Sequence, residues 1–264
     1  MDTFQLRGKF YSVTKISEKK SRVAPQMSLP QSIMECMNKN LTEIAFVLDR
    51  SGSMQSVAHA AITGFNDFLR DQQAAEGLAR LTLVLFDVEY LVLADHLPVQ
   101  EIVALNSDTY VPRNSTALLD AIGETIERIG KRLEKTPEAD RPGKVIVAIL
   151  TDGLENSSEK FTWKDVAKMI KHQTDAYQWE FLFLGANQDA IATAANLNIH
   201  ASNAACYVSD EIGTRSSQKA MSRKSSALRA RASGKKLSAP QQMDIDQSMA
   251  DIVAEEDRLE RGAE

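Results

Sequence analysis

Ile44-Ala-Phe-Val-Leu48, followed at once by Asp49-Arg-Ser-Gly-Ser-Met54, is the stretch that decides the fold. A short unbroken apolar run reads as a strand buried on both faces, because a half-exposed strand would alternate. Downstream, Ala58, Ala61, Ile62, Phe65, Phe68 and Leu69 fall on one helical stripe within 57–75. The same alternation then repeats. Leu81–Phe86 is a second strand, Asp87-Val-Glu89 a tight turn, and Tyr90–Ala94 a strand antiparallel to its neighbour. Ala117–Leu133 is helical, Val145–Leu150 a buried strand, and Trp163–Tyr177 a helix. Phe181–Leu184, the Ala-rich helix Asp189–Leu197 and a short edge strand at Cys206–Val208 complete the series. Strands alternating with helices require right-handed crossovers. The expected fold is therefore α/β, a Rossmann-like, doubly wound, mainly parallel sheet with helices on both faces.

Composition agrees with a packed domain. The 264 residues are 43% hydrophobic and 25% charged, which excludes a disordered or fibrous chain. The unbroken apolar run Val145–Leu150 is far short of the ~20 residues that cross a membrane. No apolar leader with a small-residue cleavage site opens the sequence. The two cysteines, Cys36 and Cys206, form no disulfide framework, so a reducing cytoplasm is the expected compartment. A net charge of −5 argues against affinity of the whole protein for nucleic acid. Three zones are expected: a flexible basic arm at 1–41, the α/β domain at 42–208, and a charge-segregated tail at 209–264, partly helical or disordered. The segment up to Cys36 is expected to add little stability.

Ligands of such sheets bind outside the carboxyl ends of the strands. Three loops there carry hard oxygen donors: Asp49, Ser51 and Ser53 after the first strand, Thr116 before the second long helix, and Asp152 after the Val145–Leu150 strand. Carboxylates and hydroxyls suit Mg²⁺, Mn²⁺ or Ca²⁺, and no His or Cys stands near enough in sequence to suggest zinc or copper. This pattern closely resembles the metal-ion-dependent adhesion site (MIDAS) of von Willebrand factor type A (VWA) domains, which reads Asp-x-Ser-x-Ser, then Thr, then Asp. The flanking pieces Ser115-Thr-Ala-Leu-Leu-Asp-Ala-Ile-Gly123, Leu150-Thr-Asp-Gly-Leu-Glu-Asn156 and Leu184-Gly-Ala-Asn187 are similar to the intracellular bacterial and phage branch of that family. The resemblance runs from Thr42 to about Val208. It implies a metal held by Asp49, Ser51, Ser53, Thr116 and Asp152, and a protein partner that supplies a carboxylate, in some members within a complex containing an AAA-type ATPase. Arg50, Arg113, Asn114, Glu155, Asn156, Asn187 and Gln188 are candidate partner contacts on the same loops.

Other readings lack residues of their own. Asp49, Ser51 and Ser53 alone would equally serve to cap the following helix. A phosphatase with a nucleophilic Asp would want a second Asp at position 51, and neither a Walker phosphate loop nor a Gly-x-Ser-x-Gly elbow occurs. No catalytic residues are assigned. A non-enzymatic binding module is expected, with a metal-assisted hydrolase acting on a phosphoester as the alternative. His59, His96, His172 and His200 show no partnered spacing, and Trp163 and Trp179 read as packing residues. In the tail, residues 214–236 carry eight basic side chains and no acidic one, whereas 244–264 carry eight acidic side chains against Arg258 and Arg261. The blocks are expected to attract each other, or the acidic helix to dock on a partner while the basic block touches a polyanion such as nucleic acid. The plainer alternative is a solvated, partly disordered tail with no task.

Overall fold

The structure, a computed structural model, describes residues 3–6, 9–12, 37–186 and 190–262. Strands β1 (Thr3–Leu6) and β2 (Lys9–Ser12) form a separate antiparallel hairpin. The main sheet contains β3 (Asn38–Asp49), β4 (Leu78–Phe86), β5 (Tyr90–Pro98), β6 (Pro142–Thr151), β7 (Glu180–Gly185) and β8 (Ala204–Cys206). Their order is β5-β4-β3-β6-β7-β8, with β5 antiparallel and every other pairing parallel. The helices are α1 (Ala58–Ala74), α2 (Leu118–Lys135), α3 (Trp163–Tyr177), α4 (Ala190–Asn196), α5 (Glu211–Ala232), α6 (Ala239–Asp246) and α7 (Met249–Gly262). The expected α/β sheet is present, with β3 and β6 at its centre.

Successive residues of the central strands serve opposite faces. Ile44, Phe46 and Leu48 pack with Phe65 and Phe68 of α1 and with Met221, Leu228, Met249 and Ile252 of α5 and α7. Ala45 and Val47 pack with Ile122 and Ile126 of α2, Val166 and Ile170 of α3, and Ala190 and Ala194 of α4. Chain direction does the rest: five parallel strands bring the loops after β3, β4 and β6 to one end. Among the described residues, no helix is long and apolar enough to cross a membrane.

The zone boundaries shift. Residues 38–41, expected in a flexible arm, are the start of β3, where Asn38 N donates to Arg141 O at 2.9 Å. This extension is largely exposed and follows a register shift, so it carries no apolar signal. Within the same arm, 3–6 and 9–12 pair as the hairpin, whose Phe4, Phe10 and Tyr11 favour strands; 13–36 lie outside the described residues.

The expected domain end near 208 moves further. Helix α5 begins where Asp210 caps it, accepting from Gly213 N at 2.7 Å, and it lies against α1 and the sheet. Its buried side includes Thr214, Ser216, Ser217, Ser222 and Ser225, whose small size permits close approach. Gln72 of α1 donates to Ser226 Oγ at 3.0 Å, and Ser222 Oγ donates to Asp71 Oδ2 at 2.7 Å. A polar, small-residue interface leaves no amphipathic stripe, and for that reason the sequence reads as tail.

The charged blocks do meet. Arg223 pairs with Asp244 (2.5 Å), Glu255 (3.2 Å) and Glu256 (2.7 Å), and Lys219 pairs with Glu256 at 2.9 Å. Lys224 is buried and donates to three backbone carbonyls, those of Asp244, Ile245 and Gln247. Arg229 is buried against the carboxyl end of α1, donating to Gln72 O at 2.7 Å and Gly77 O at 3.1 Å. Arg231 pairs with Glu180 and Lys235 with Glu76. Of the eight basic side chains in the block expected to face nucleic acid, Lys219, Arg223, Lys224, Arg229, Arg231 and Lys235 are thus engaged within the molecule.

Candidate metal centre

Asp49 ends the central strand and is fully buried. Its Oδ1 accepts from Ser51 N at 2.6 Å, and its Oδ2 accepts from Thr151 Oγ1 at 2.6 Å and Gly153 N at 3.4 Å. The carboxylate therefore links the β3 and β6 loops, which are 102 residues apart in sequence at the Thr151 contact. Ser51 Oγ lies 3.1 Å from Ser53 Oγ. Thr116 is buried, and its Oγ1 and Ser51 Oγ both crowd the same side of Gly153: a Cβ there would overlap Thr116 Oγ1 and stand 3.3 Å from Ser51 Oγ. Asp152, the neighbour of Gly153, is half-buried. Its charge and that of Asp49 are both felt by Tyr110 and Tyr207. All five sequence-derived residues thus stand at one end of the sheet, with the Thr116 and Ser51 hydroxyls beside Gly153 and Ser53 Oγ next to Ser51 Oγ.

Capping does not account for these residues. Ser51 precedes the 3-10 turn Gly52–Val57 without a side-chain cap bond, and Val57 precedes α1 without one. Burial pushes the Asp49 carboxyl above its ordinary 3.8, against the lowering effect of the Thr151, Ser51 and Gly153 hydrogen bonds. A buried carboxylate held only by neutral donors lacks a compensating cation. The donor set is two carboxylates and three hydroxyls, all hard oxygens, and it fits a divalent cation such as Mg²⁺. Among the described residues no group of three or more His, Cys, Asp or Glu side chains is placed to hold a metal. Such a set would suit a more fully neutralised ion than this one does.

The bracing residues were not visible in the sequence. Tyr110 OH donates to Asp49 O at 2.6 Å, and Tyr207 OH donates to Thr151 O at 3.3 Å. Burial, then the nearby Asp49 and Asp152 charges, raise both phenols well above 10.0, so they remain neutral donors. The sequence puts Tyr207 inside an expected strand at Cys206–Val208, whereas β8 ends at Cys206 and Tyr207 follows it.

Several expected partner contacts are instead structural. Arg50 is buried, within 3.5 Å of Asp87 and 3.4 Å of Glu89. Asp87 and Glu89 do form the expected turn, Glu89 N donating to Asp87 Oδ1 at 2.6 Å, but their carboxylates also hold arginines. Asn156 Oδ1 accepts from Thr116 N at 3.0 Å, and Glu155 Oε2 accepts from Leu119 N at 2.9 Å at the start of α2. Asn187 and Gln188 lie outside the described residues. His96 Nδ1 sits 2.5 Å from Glu43 Oε2, away from the site, and Trp179 is buried and stacks on Phe181.

Asp120 of α2 holds the loop that follows Asp152. Its carboxylate accepts from Glu159 N, Lys160 N and Phe161 N, each at 2.9 Å. Substituting Asp120→Ala leaves three backbone donors unpaired. The expected cost is about 2–3 kcal/mol, or a fall of roughly 4–12 °C in thermal midpoint. A circular-dichroism melt checks this; a change below ~2 °C contradicts it.

No protein-family model and no curated protein sequence matches the chain. Solved structures do. Proximal thread matrix protein 1 from the mussel byssus matches with 15% identity and a TM-score of 0.49, over 70% of this chain and 46% of that one. A von Willebrand factor type A structure from Catenulispora acidiphila matches with 15% identity and a TM-score of 0.47, over 70% and 42%. Manganese-loaded TRAP protein of Plasmodium vivax matches with 14% identity and a TM-score of 0.40, over 57% and 59%. The chain thus spans about half the length of the structures it matches. These likenesses concern the arrangement of strands and helices, not the chemistry of any site.

Proposed function

We propose that the chain is a divalent-metal-dependent protein-binding module, a VWA domain of the intracellular bacterial or phage type with a MIDAS. Asp49, Ser51, Ser53, Thr116 and Asp152 hold Mg²⁺, or Mn²⁺ or Ca²⁺ in its place. The observation that carries this reading is the crowding of the Thr116 and Ser51 hydroxyls on one side of Gly153, whose N–H donates to the buried Asp49 carboxylate at 3.4 Å. A bound Mg²⁺ would supply incompletely neutralised charge and an open position for an acidic side chain. Three hydroxyls, being neutral, leave that charge available. The chain does no chemistry of its own in this reading, and its partner, in the cytoplasm, stands in an assembly such as one built on an AAA-type ATPase.

The surroundings favour a protein partner. Val88, Val111, Leu154 and Val208 are each about half exposed. Each lies within two residues of a group bonded into the site: Asp87, Arg113, Gly153 and Tyr207. Exposed apolar residues around a polar centre are a feature of interaction surfaces.

The test is calorimetry with Mg²⁺ and Mn²⁺, together with affinity capture from a bacterial lysate. Wild type should bind either ion weakly and retain partners only when metal is present. An Asp49→Ala/Asp152→Ala double variant should lose both properties, and EDTA should reduce wild-type capture to background. Equal ion binding by wild type and double variant overturns the site assignment.

A further inference from the structure

We propose that Asp87, on the loop after β4, is a positioning residue that sets the Thr116 hydroxyl for the metal; this rests on the metal reading above. Asp87 is fully buried. Its Oδ2 accepts from Arg113 Nε at 2.9 Å and from Asn114 Nδ2 at 3.3 Å, so it grips the start of the loop that carries Thr116. Its backbone carbonyl accepts from Ala117 N at 2.8 Å, so it grips the other end as well. Thr116 lies between the two anchors.

In the loop so held, Asn114 adopts a φ of +60°, a left-handed geometry that most side chains avoid but Asn tolerates. Its carbonyl, turned inward by that geometry, accepts from Gly52 N at 3.0 Å, and Arg113 N donates to Arg50 O at 2.8 Å. Both bonds join the Thr116 loop to the Asp49–Ser53 loop. Asp87 therefore fixes the relative placement of the two loops that carry the hydroxyls.

Charge adds a second contribution. Arg50 and Arg113 bring two guanidinium groups to the edge of a site that is to hold a cation. Asp87 lies within 3.5 Å of Arg50 Nε and pairs with Arg113, while Glu89 reaches both arginines. Neutralising Asp87 releases one positive charge beside the metal and loosens Thr116, and both changes weaken binding.

The experiment measures Mn²⁺ affinity by calorimetry, and the metal-induced rise in thermal midpoint, for wild type, Asp152→Ala, Asp87→Asn and Arg113→Gln. Groups that orient ligands without touching the metal typically change affinity about 10–100-fold. Asp87→Asn is expected to weaken Mn²⁺ binding at least tenfold and to shrink the metal-induced rise. A purely structural role would lower the midpoints with and without metal alike and leave that rise intact. Arg113 is 42% exposed at its side chain and its removal threatens folding less. Arg113→Gln removes a loop anchor together with a positive charge, so weaker Mn²⁺ binding in it reports loop placement alone. It decides the matter if Asp87→Asn does not fold. Wild-type affinity within twofold in the folded variant, while Asp152→Ala loses binding, overturns the positioning role and leaves the metal reading standing. Absence of Mn²⁺ binding by wild type overturns both.

Discussion

If the proposed metal centre is right, replacing Gly153 with alanine is expected to remove divalent-cation binding while leaving the protein folded. The single added methyl would overlap Thr116 Oγ1 and stand 3.3 Å from Ser51 Oγ. The backbone at 153 does not lie in the left-handed region, so no conformational strain accompanies the change. Relief comes by turning Thr116 to another rotamer, which carries its hydroxyl away from the cluster. Overpacking of this kind costs about 1–3 kcal/mol of stability, and a domain of this size survives such a loss. Displacing a ligand outright should exceed the 10–100-fold effect typical of disturbing a ligand's support, so a drop beyond roughly 100-fold is expected. Titration with Mn²⁺ followed by electron paramagnetic resonance, beside a thermal melt, measures both quantities. Retained affinity within a few-fold means that the hydroxyls around Gly153 hold no metal.

Ending the chain after Asp210 should abolish cooperative folding. Met221, Leu228, Met249 and Ile252 are buried against the face of the sheet that carries Ile44, Phe46 and Leu48. Burying side chains of this size stabilises by about 1.5–3 kcal/mol each, so the four together rival the roughly 5–15 kcal/mol that holds a typical domain folded. Truncation also strips the α5 partners from Gln72, a fully buried residue of α1. Aggregated elution and a melt without a sigmoidal transition are expected. A soluble monomer that unfolds cooperatively within a few degrees of the full chain would show that residues 42–208 suffice.

That second expectation reverses what the sequence suggests, and the reason is physical. Strands β3, β4 and β6 announce themselves because burial on both faces demands unbroken apolar runs such as Ile44–Leu48 and Val145–Leu150. The candidate site residues stand out as candidates for a related reason, since Asp49, Ser51 and Ser53 lie at a strand end where parallel sheets bind ligands. Helix α5 is not, because Thr214, Ser217 and Ser222 pack by smallness and hydrogen bonding, to which a search for apolar periodicity is blind. Arg50 illustrates the same limit in the site. A charged residue on a loop reads as a surface contact, and only the fold reveals Asp87 and Glu89 beside it. Tyr110 and Tyr207 act through single hydroxyls from distant positions, which no local motif marks.

The lateness of α5 in chain order has a consequence for synthesis. Every strand of the main sheet leaves the ribosome before α5 does, so the face bearing Ile44, Phe46 and Leu48 emerges without the helix that seals it. Collapse of such segments takes microseconds, whereas translation proceeds at ~5–20 residues per second. Residues 211–264 therefore take roughly 3–11 s to appear, an interval in which the apolar face of a nearly complete nascent sheet is covered by α1 but not by α5 and α7. Transiently exposed apolar surface is aggregation-prone, so slowing translation across 211–264 should lower the yield of native protein more than slowing it upstream.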